Sequence, residues 1–148
     1  MESLHEILIA APPARVLEAW TTAPGLGAWW TADVSVRTGT VAEYVFGFDG
    51  GKVKFHFRVD GQQSPERLQL VGVVGPGMPE EWVGTRIDLR LAAENEGTRL
   101  RFAHRNWRSI EGAFCVCNTT WGELMYRLRD HCEGHGRGPL FTDRDLGR

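Results

Sequence analysis

Apolar residues along this chain change their period three times, and each change marks a new kind of element. Residues 4–10, rich in Leu and Ile, read as a strand. Pro12 and Pro13 stand where a helix can open, because a missing N–H at the first helical position costs nothing. Val16, Leu17 and Trp20 follow at helical spacing, and Pro24-Gly25 reads as the stop. A further short turn carries Leu26, Trp29 and Trp30.

From Val34 to Trp107 the period is two. Segments 41–48 and 52–60 flank Asp49-Gly50-Gly51, a hairpin signal because glycine accepts positive φ without penalty. Segment 67–74 is another strand. Segments 82–92 and 98–107 form a second hairpin around Glu94-Asn95-Glu96-Gly97. No helical pattern long enough for a parallel crossover lies between them, so the strands are expected to be antiparallel. The period then lengthens again. Ser109 reads as an N-cap with Glu111 close behind, and Ile110, Phe114, Cys117, Trp121, Leu124, Leu128 and His131 form one stripe over six turns. Gly134 and Gly136 end this helix. Residues 1–136 read as one domain, and 137–148 as a polar, loosely docked tail.

Composition narrows the function classes. The chain has 148 residues, a length that suits one domain with a core needing no metal or disulfide support. Its 18 glycines and six tryptophans suit many turns around a large aromatic interior. No apolar run approaches the roughly 18 residues of a membrane span, and the acidic start is unlike a signal peptide. Three cysteines cannot all pair, which suits a reducing cytoplasm. A formal net charge of −2 argues against bulk attraction to nucleic acid.

Certain phrases carry a resemblance. They are Ala11-Pro12-Pro13-Ala14-Arg15-Val16 leading to Ala19-Trp20-Thr21, Pro24-Gly25-Leu26 before Trp29-Trp30, Gly97-Thr98-Arg99-Leu100 into Phe102-Ala103-His104, and a closing helix with Trp121. In this order of elements, residues 3–135 resemble the START-like (SRPBCC) superfamily, in the branch related to the C-terminal domain of the heat-shock chaperone ATPase activator. The resemblance implies an α+β helix-grip fold, in which a curved antiparallel sheet wraps a long C-terminal helix, with two short helices after the first strand. It also implies a cavity between sheet and helix that takes an apolar small molecule, with the Trp29-Trp30 position helping to build its entrance side.

Parity supports such a cavity independently. Val83, Thr85, Ile87, Leu89 and Leu91 share one face, as do Leu100, Phe102 and His104, and Val53, Phe55, Phe57 and Val59. The candidate ligand-binding set is therefore Trp30, Phe57, Thr85, Ile87, Phe102, His104, Asn106, Trp107, Phe114 and Trp121. His104 reads either as a polar anchor or proton donor for a ligand, or as a rim histidine bonded to backbone or water. Asn106 shares its parity and is a candidate partner for it. Trp30 and Trp107 either stack on a planar ligand or fill the core, while Trp121 reads mainly as core.

Other chemistry is thinner. Cys115 and Cys117 project about 200° apart on a helix, and His131 and His135 supply only two ligands, so no metal or other cofactor is expected. No nucleophile motif or phosphate loop is present. Binding without turnover is the leading expectation, and a cyclase-like enzyme using His104 ranks below it. The opposite sheet face is basic and includes Arg86, Arg90, Arg99, Arg101 and Arg105. It reads either as a solvated face balanced by nearby glutamates, or as a docking surface for an acidic protein partner. The chain is expected to be a monomer or homodimer.

Overall fold

The computed structural model of the protein describes residues 2–61, 64–109 and 111–142. Strand β1 (Ser3–Ile9) leads into helix α1 (Pro13–Thr21), with Pro12 at its N-cap. Val16, Ala19 and Trp20 are the buried face of α1. Pro24 does not stop a helix, contrary to the sequence reading. It sits in the first turn of α2 (Ala23–Gly27), where its missing N–H leaves no bond unmade, and the Thr22 hydroxyl caps that turn by accepting from the Gly25 N–H at 3.0 Å.

The strands β2 (Asp33–Arg37), β3 (Glu43–Phe48), β4 (Val53–Val59), β5 (Arg67–Gly72), β6 (Arg86–Glu94) and β7 (Gly97–Arg105) complete a seven-stranded sheet. Its order is β1-β7-β6-β5-β4-β3-β2, and each named pairing is antiparallel. β2 is an edge strand that the period-two pattern did not resolve as a separate element. Residues 82–85, expected to begin β6, instead leave a 3-10 turn (Glu80–Trp82) and pass through Gly84 at φ 82°. Val83 therefore does not belong to the inward row. In the β6–β7 hairpin, Asn95 and Glu96 take the positive φ values, not Gly97. Gly97 is small for another reason: a Cβ there would lie 2.5 Å from the Ile9 carbonyl oxygen of β1.

The sheet wraps helix α3 (Ala113–Cys132), so the architecture is the expected α+β helix grip. The helix starts later than Ser109. The Ser109 hydroxyl accepts from Glu111 N–H within the preceding turn, and Gly112 at φ 66° is the N-cap. Glu81, from the 3-10 turn, accepts from the Ala113 N–H at 3.2 Å. A distant carboxylate thus satisfies a helix-end donor that local sequence leaves open. Trp121, Leu124, Met125, Leu128 and Cys132 form the buried face. Phe114, Cys117 and His131 are only half-buried, and Ile110 lies outside the described residues. The stripe has moved toward Met125 and Cys132.

The interior is aromatic. Trp20, Trp29, Trp30, Trp121, Tyr44, Phe46 and Phe57 have almost no exposure. Burying a ring of this kind removes roughly 150–250 Å² from water, about 4–6 kcal/mol of driving force each before entropy is counted. The C-terminal segment also departs from expectation. Leu140 is buried, and the N–H groups of Leu140 and Phe141 donate to the Trp29 and Trp30 carbonyls at 3.2 and 2.9 Å. Thr31 and Phe141 form a parallel bridge. Residues 143–148 of the expected tail lie outside the described residues.

Candidate functional site

The inner aromatic layer has two ends. At one end it leaves a cavity of about 300 Å³. The β3–β4 hairpin supplies Phe48, Val53 and Phe55, and α3 supplies Val116, Cys117, Thr120, Trp121 and Leu124. Trp30, Trp82, Phe141 and Thr142 complete most of the wall. Many of these rings are ordered by one another: Phe55 stacks on Trp82 at 3.9 Å, Trp30 on Phe46 at 4.0 Å, and Phe141 meets Phe48 edge-on at 5.1 Å. Burial and the charge of Glu81 push the Cys117 thiol up to about 12, so it faces the cavity as a neutral S–H.

At the other end the layer is closed around His104, whose exposure is 0%. Trp121 Nε1–H donates to His104 Nδ1 at 3.1 Å, so that nitrogen carries no proton. The neutral ring then holds its proton on Nε2, which donates to Thr85 Oγ1 at 2.8 Å. The Thr85 hydroxyl donates in turn to the Trp82 carbonyl at 2.7 Å. Burial lowers the His104 pKa to about 3, so the imidazole is neutral at physiological pH. Each of its ring nitrogens has a protein partner. His104 is neither a rim histidine nor open to a ligand, and the expected pairing with Asn106 does not form. Asn106 ends β7 at φ 67°, is exposed, and reaches the Gly84 carbonyl at 3.5 Å. That turn carries its side chain away from the inward row.

Of the candidate set, Trp30 and Trp121 border the cavity. Phe57, Thr85, Ile87 and Phe102 are buried in the core beside it. Trp107 is buried at the closed end against Trp82 and His104, and half-buried Phe114 packs edge-on to Trp107 at 5.7 Å. The sequence reading put Phe55 on the inward row but left it, with Phe48, Trp82 and Phe141, out of the candidate set. The flanks of the Asp49-Gly50-Gly51 turn were a usable signal for the first two. None existed for Phe141, which arrives through backbone pairing with a segment over 100 residues earlier.

The outer face carries the expected arginines, and carboxylates accompany them. Arg86 pairs with Asp60, Arg105 with Glu2, and Arg101 with Glu6 at 2.8 Å. Arg99 reaches both Glu94 at 2.5 Å and Glu6 at 2.9 Å. Arg90 lies 3.8 Å from Asp88, which also holds Arg67 at 3.1 Å. Hydrogen bonds from Arg101, Arg99 and Arg86 hold Glu6, Glu94 and Asp60 respectively below the usual carboxylate range. The face is a network of ion pairs in which carboxylates offset most of the arginine charge.

Among the described residues, no helix is long and apolar enough to cross a membrane. Comparison with known proteins places the fold. The chain overlays the Aha1 dimer from Colwellia psychrerythraea, known from a solution structure, with a TM-score of 0.79 and 32% identity, over 91% of this chain and 98% of that one. Protein MLL2253 from Mesorhizobium loti shares the fold at TM-score 0.74 and 16% identity, over 88% and 95% of the two chains. CalU16 from Micromonospora echinospora does so at 0.71 and 17%, over 90% and 75%. A 101-residue stretch is 34% identical to a glycine–tRNA ligase of Corynebacterium glutamicum, covering 54% of this chain and 22% of that protein. The chain thus spans less than a quarter of that relative. The profile of the Activator of Hsp90 ATPase homolog 1-like proteins matches residues 10–133, and the chain belongs to that family.

Proposed function

We propose that the protein binds an apolar or aromatic small molecule between α3 and the β3–β4 hairpin, without chemical turnover. The observation that carries this reading is a void of about 300 Å³ to whose wall Trp30, Phe48, Phe55, Trp82, Trp121 and Phe141 contribute aromatic rings. That size lies at the lower end of small-molecule sites and suits a compact ligand. Turnover finds no support at His104, because a wholly buried, neutral ring with both nitrogens engaged cannot reach a substrate.

Cys117→Trp tests the reading, since the indole fills the void from the helix side. Ligands retained by the purified protein in native mass spectrometry should be lost, with affinity down at least about tenfold and the circular dichroism spectrum unchanged. Undiminished uptake by a folded variant would overturn the proposal.

A second reading, a protein-interaction module for an acidic partner, draws on the family description and on the outer arginines, of which Arg90 and Arg101 are the most exposed. A partner there has to displace Glu6 and Asp88, so the first reading is preferred. The Colwellia relative is a dimer, which supports a homodimer for this chain. Its cysteine content, three residues that cannot all pair, supports a cytoplasmic setting.

A further inference from the structure

The cavity reading leaves open what kind of polar group its ligand carries. Two threonine hydroxyls and one indole on the cavity wall already donate to protein acceptors. Thr31 Oγ1–H donates to the Gly47 carbonyl at 2.8 Å, and Thr120 Oγ1–H to the Val116 carbonyl at 2.8 Å. The Trp121 indole N–H is held by His104. What the two threonine hydroxyls can still offer is acceptor lone pairs.

Charge points the same way. No Lys, Arg or His is among the described residues that border the cavity, whereas Asp33 and Asp49 both are. Asp33 stands opposite Gly47 in the β2–β3 register, and its carboxylate folds across that glycine. A Cβ at position 47 would lie 1.9 Å from Asp33 Oδ2, so the bare backbone is what lets the carboxylate rest there. On the outer face, Glu2, Glu6, Asp60, Asp88 and Glu94 each hold an arginine. Asp33 and Asp49 have no cation within 4.0 Å among the described residues.

Resting on the cavity reading above, we infer that the ligand is a planar aromatic with a protonated amine at one end, and that carboxylate-bearing ligands are selected against. The ring system lies among the aromatic walls, whose faces also favour a cation. The ammonium donates to the threonine oxygens and neutralises the carboxylates at the border. A carboxylate in the same position would face like charge and threonine oxygens whose protons are already donated elsewhere.

Three probes of matched size test this on the full chain: 2-naphthylmethylamine, 2-naphthylmethanol and 2-naphthoate, followed by tryptophan quenching and calorimetry at low and high salt. Affinity should fall in that order, with the amine about tenfold or more above the carboxylate at low ionic strength and the gap shrinking in salt. In the Asp33→Asn/Asp49→Asn double variant the gap should collapse while the neutral alcohol binds as before, which also reports that the variant is folded. Asp49→Asn alone, expected to narrow the gap in part, serves if the double variant fails to fold. Equal or tighter binding of 2-naphthoate, or a gap that survives the substitutions, would overturn the charge assignment and leave the cavity reading intact. Failure of all three probes to bind would overturn both.

Discussion

The two ends of the aromatic layer are built from the same residue types and behave differently. Around His104 the tryptophans close on a polar centre, and each hydrogen-bonding atom of the imidazole meets a protein partner. Around Phe48, Phe55 and Phe141 the rings also contact one another, yet they leave a void bordered by two carboxylates that hold no cation among the described residues. The polar residue that looked most chemical in sequence belongs to the closed end. A satisfied polar group fixes a core in one arrangement. An unfilled space with carboxylates on its border is what has capacity left for a ligand.

The largest effect that separates the two ends should come from His104→Ala. The variant loses ring contacts with Trp82, Trp107 and Trp121 and orphans a buried indole N–H, so urea denaturation should show a loss of about 3–5 kcal/mol. Because Trp82 and Trp121 also wall the cavity, affinity of the folded variant for cavity ligands should fall, but by less than its stability. A drop in affinity matching the drop in stability would mean the ends are not distinct.

Acid should act on the closed end next. His104 has a folded pKa of about 3 against an ordinary 6.5, so its neutral form belongs to the fold. Its contribution is fully present above pH 6.5 and is lost as pH falls from there toward 3, by up to about 1.4 kcal/mol per pH unit. His5 and His131, also lowered by burial, titrate in both proteins. The difference between wild type and His104→Ala therefore isolates this residue. Parallel stability profiles between pH 6.5 and 4 would remove the assignment.

At the open end, Phe141→Ala should cost only about 1 kcal/mol, because it removes one edge-on contact and leaves the backbone pairing intact. Its clearer consequence is faster ligand release in stopped-flow fluorescence. An unchanged release rate would show that the C-terminal segment is not a retaining wall. Arg101→Ala, on an exposed ion pair, should leave the melting temperature within error. A marked fall would mean that the outer network stabilises the sheet more than its exposure suggests.

Much of this fold was legible in the sequence because period and turn chemistry are local. Alternation placed the inward rows of β4, β6 and β7, and Asp49-Gly50-Gly51 and the 94–97 turn marked their hairpins. Pro24 misled because proline is tolerated in a first helical turn as readily as beyond a last one. Ser109 misled because a serine that looks like a helix cap can cap an isolated turn instead.

The sequence by itself determined the order of elements, the antiparallel character of the sheet, the aromatic interior and the basic parity of the outer face. Those properties depend on neighbours within a few residues. Only the tertiary structure decided which aromatics border a void, that Glu81 caps α3, that Phe141 closes the cavity beside Trp30, and that Arg86, Arg90, Arg99, Arg101 and Arg105 meet carboxylates. Each of these joins segments far apart in the chain, where spacing carries no information. His104 shows the division: its parity was readable from its neighbours, but its chemistry was set by Thr85 and Trp121, one on the adjoining strand β6 side and one on the helix.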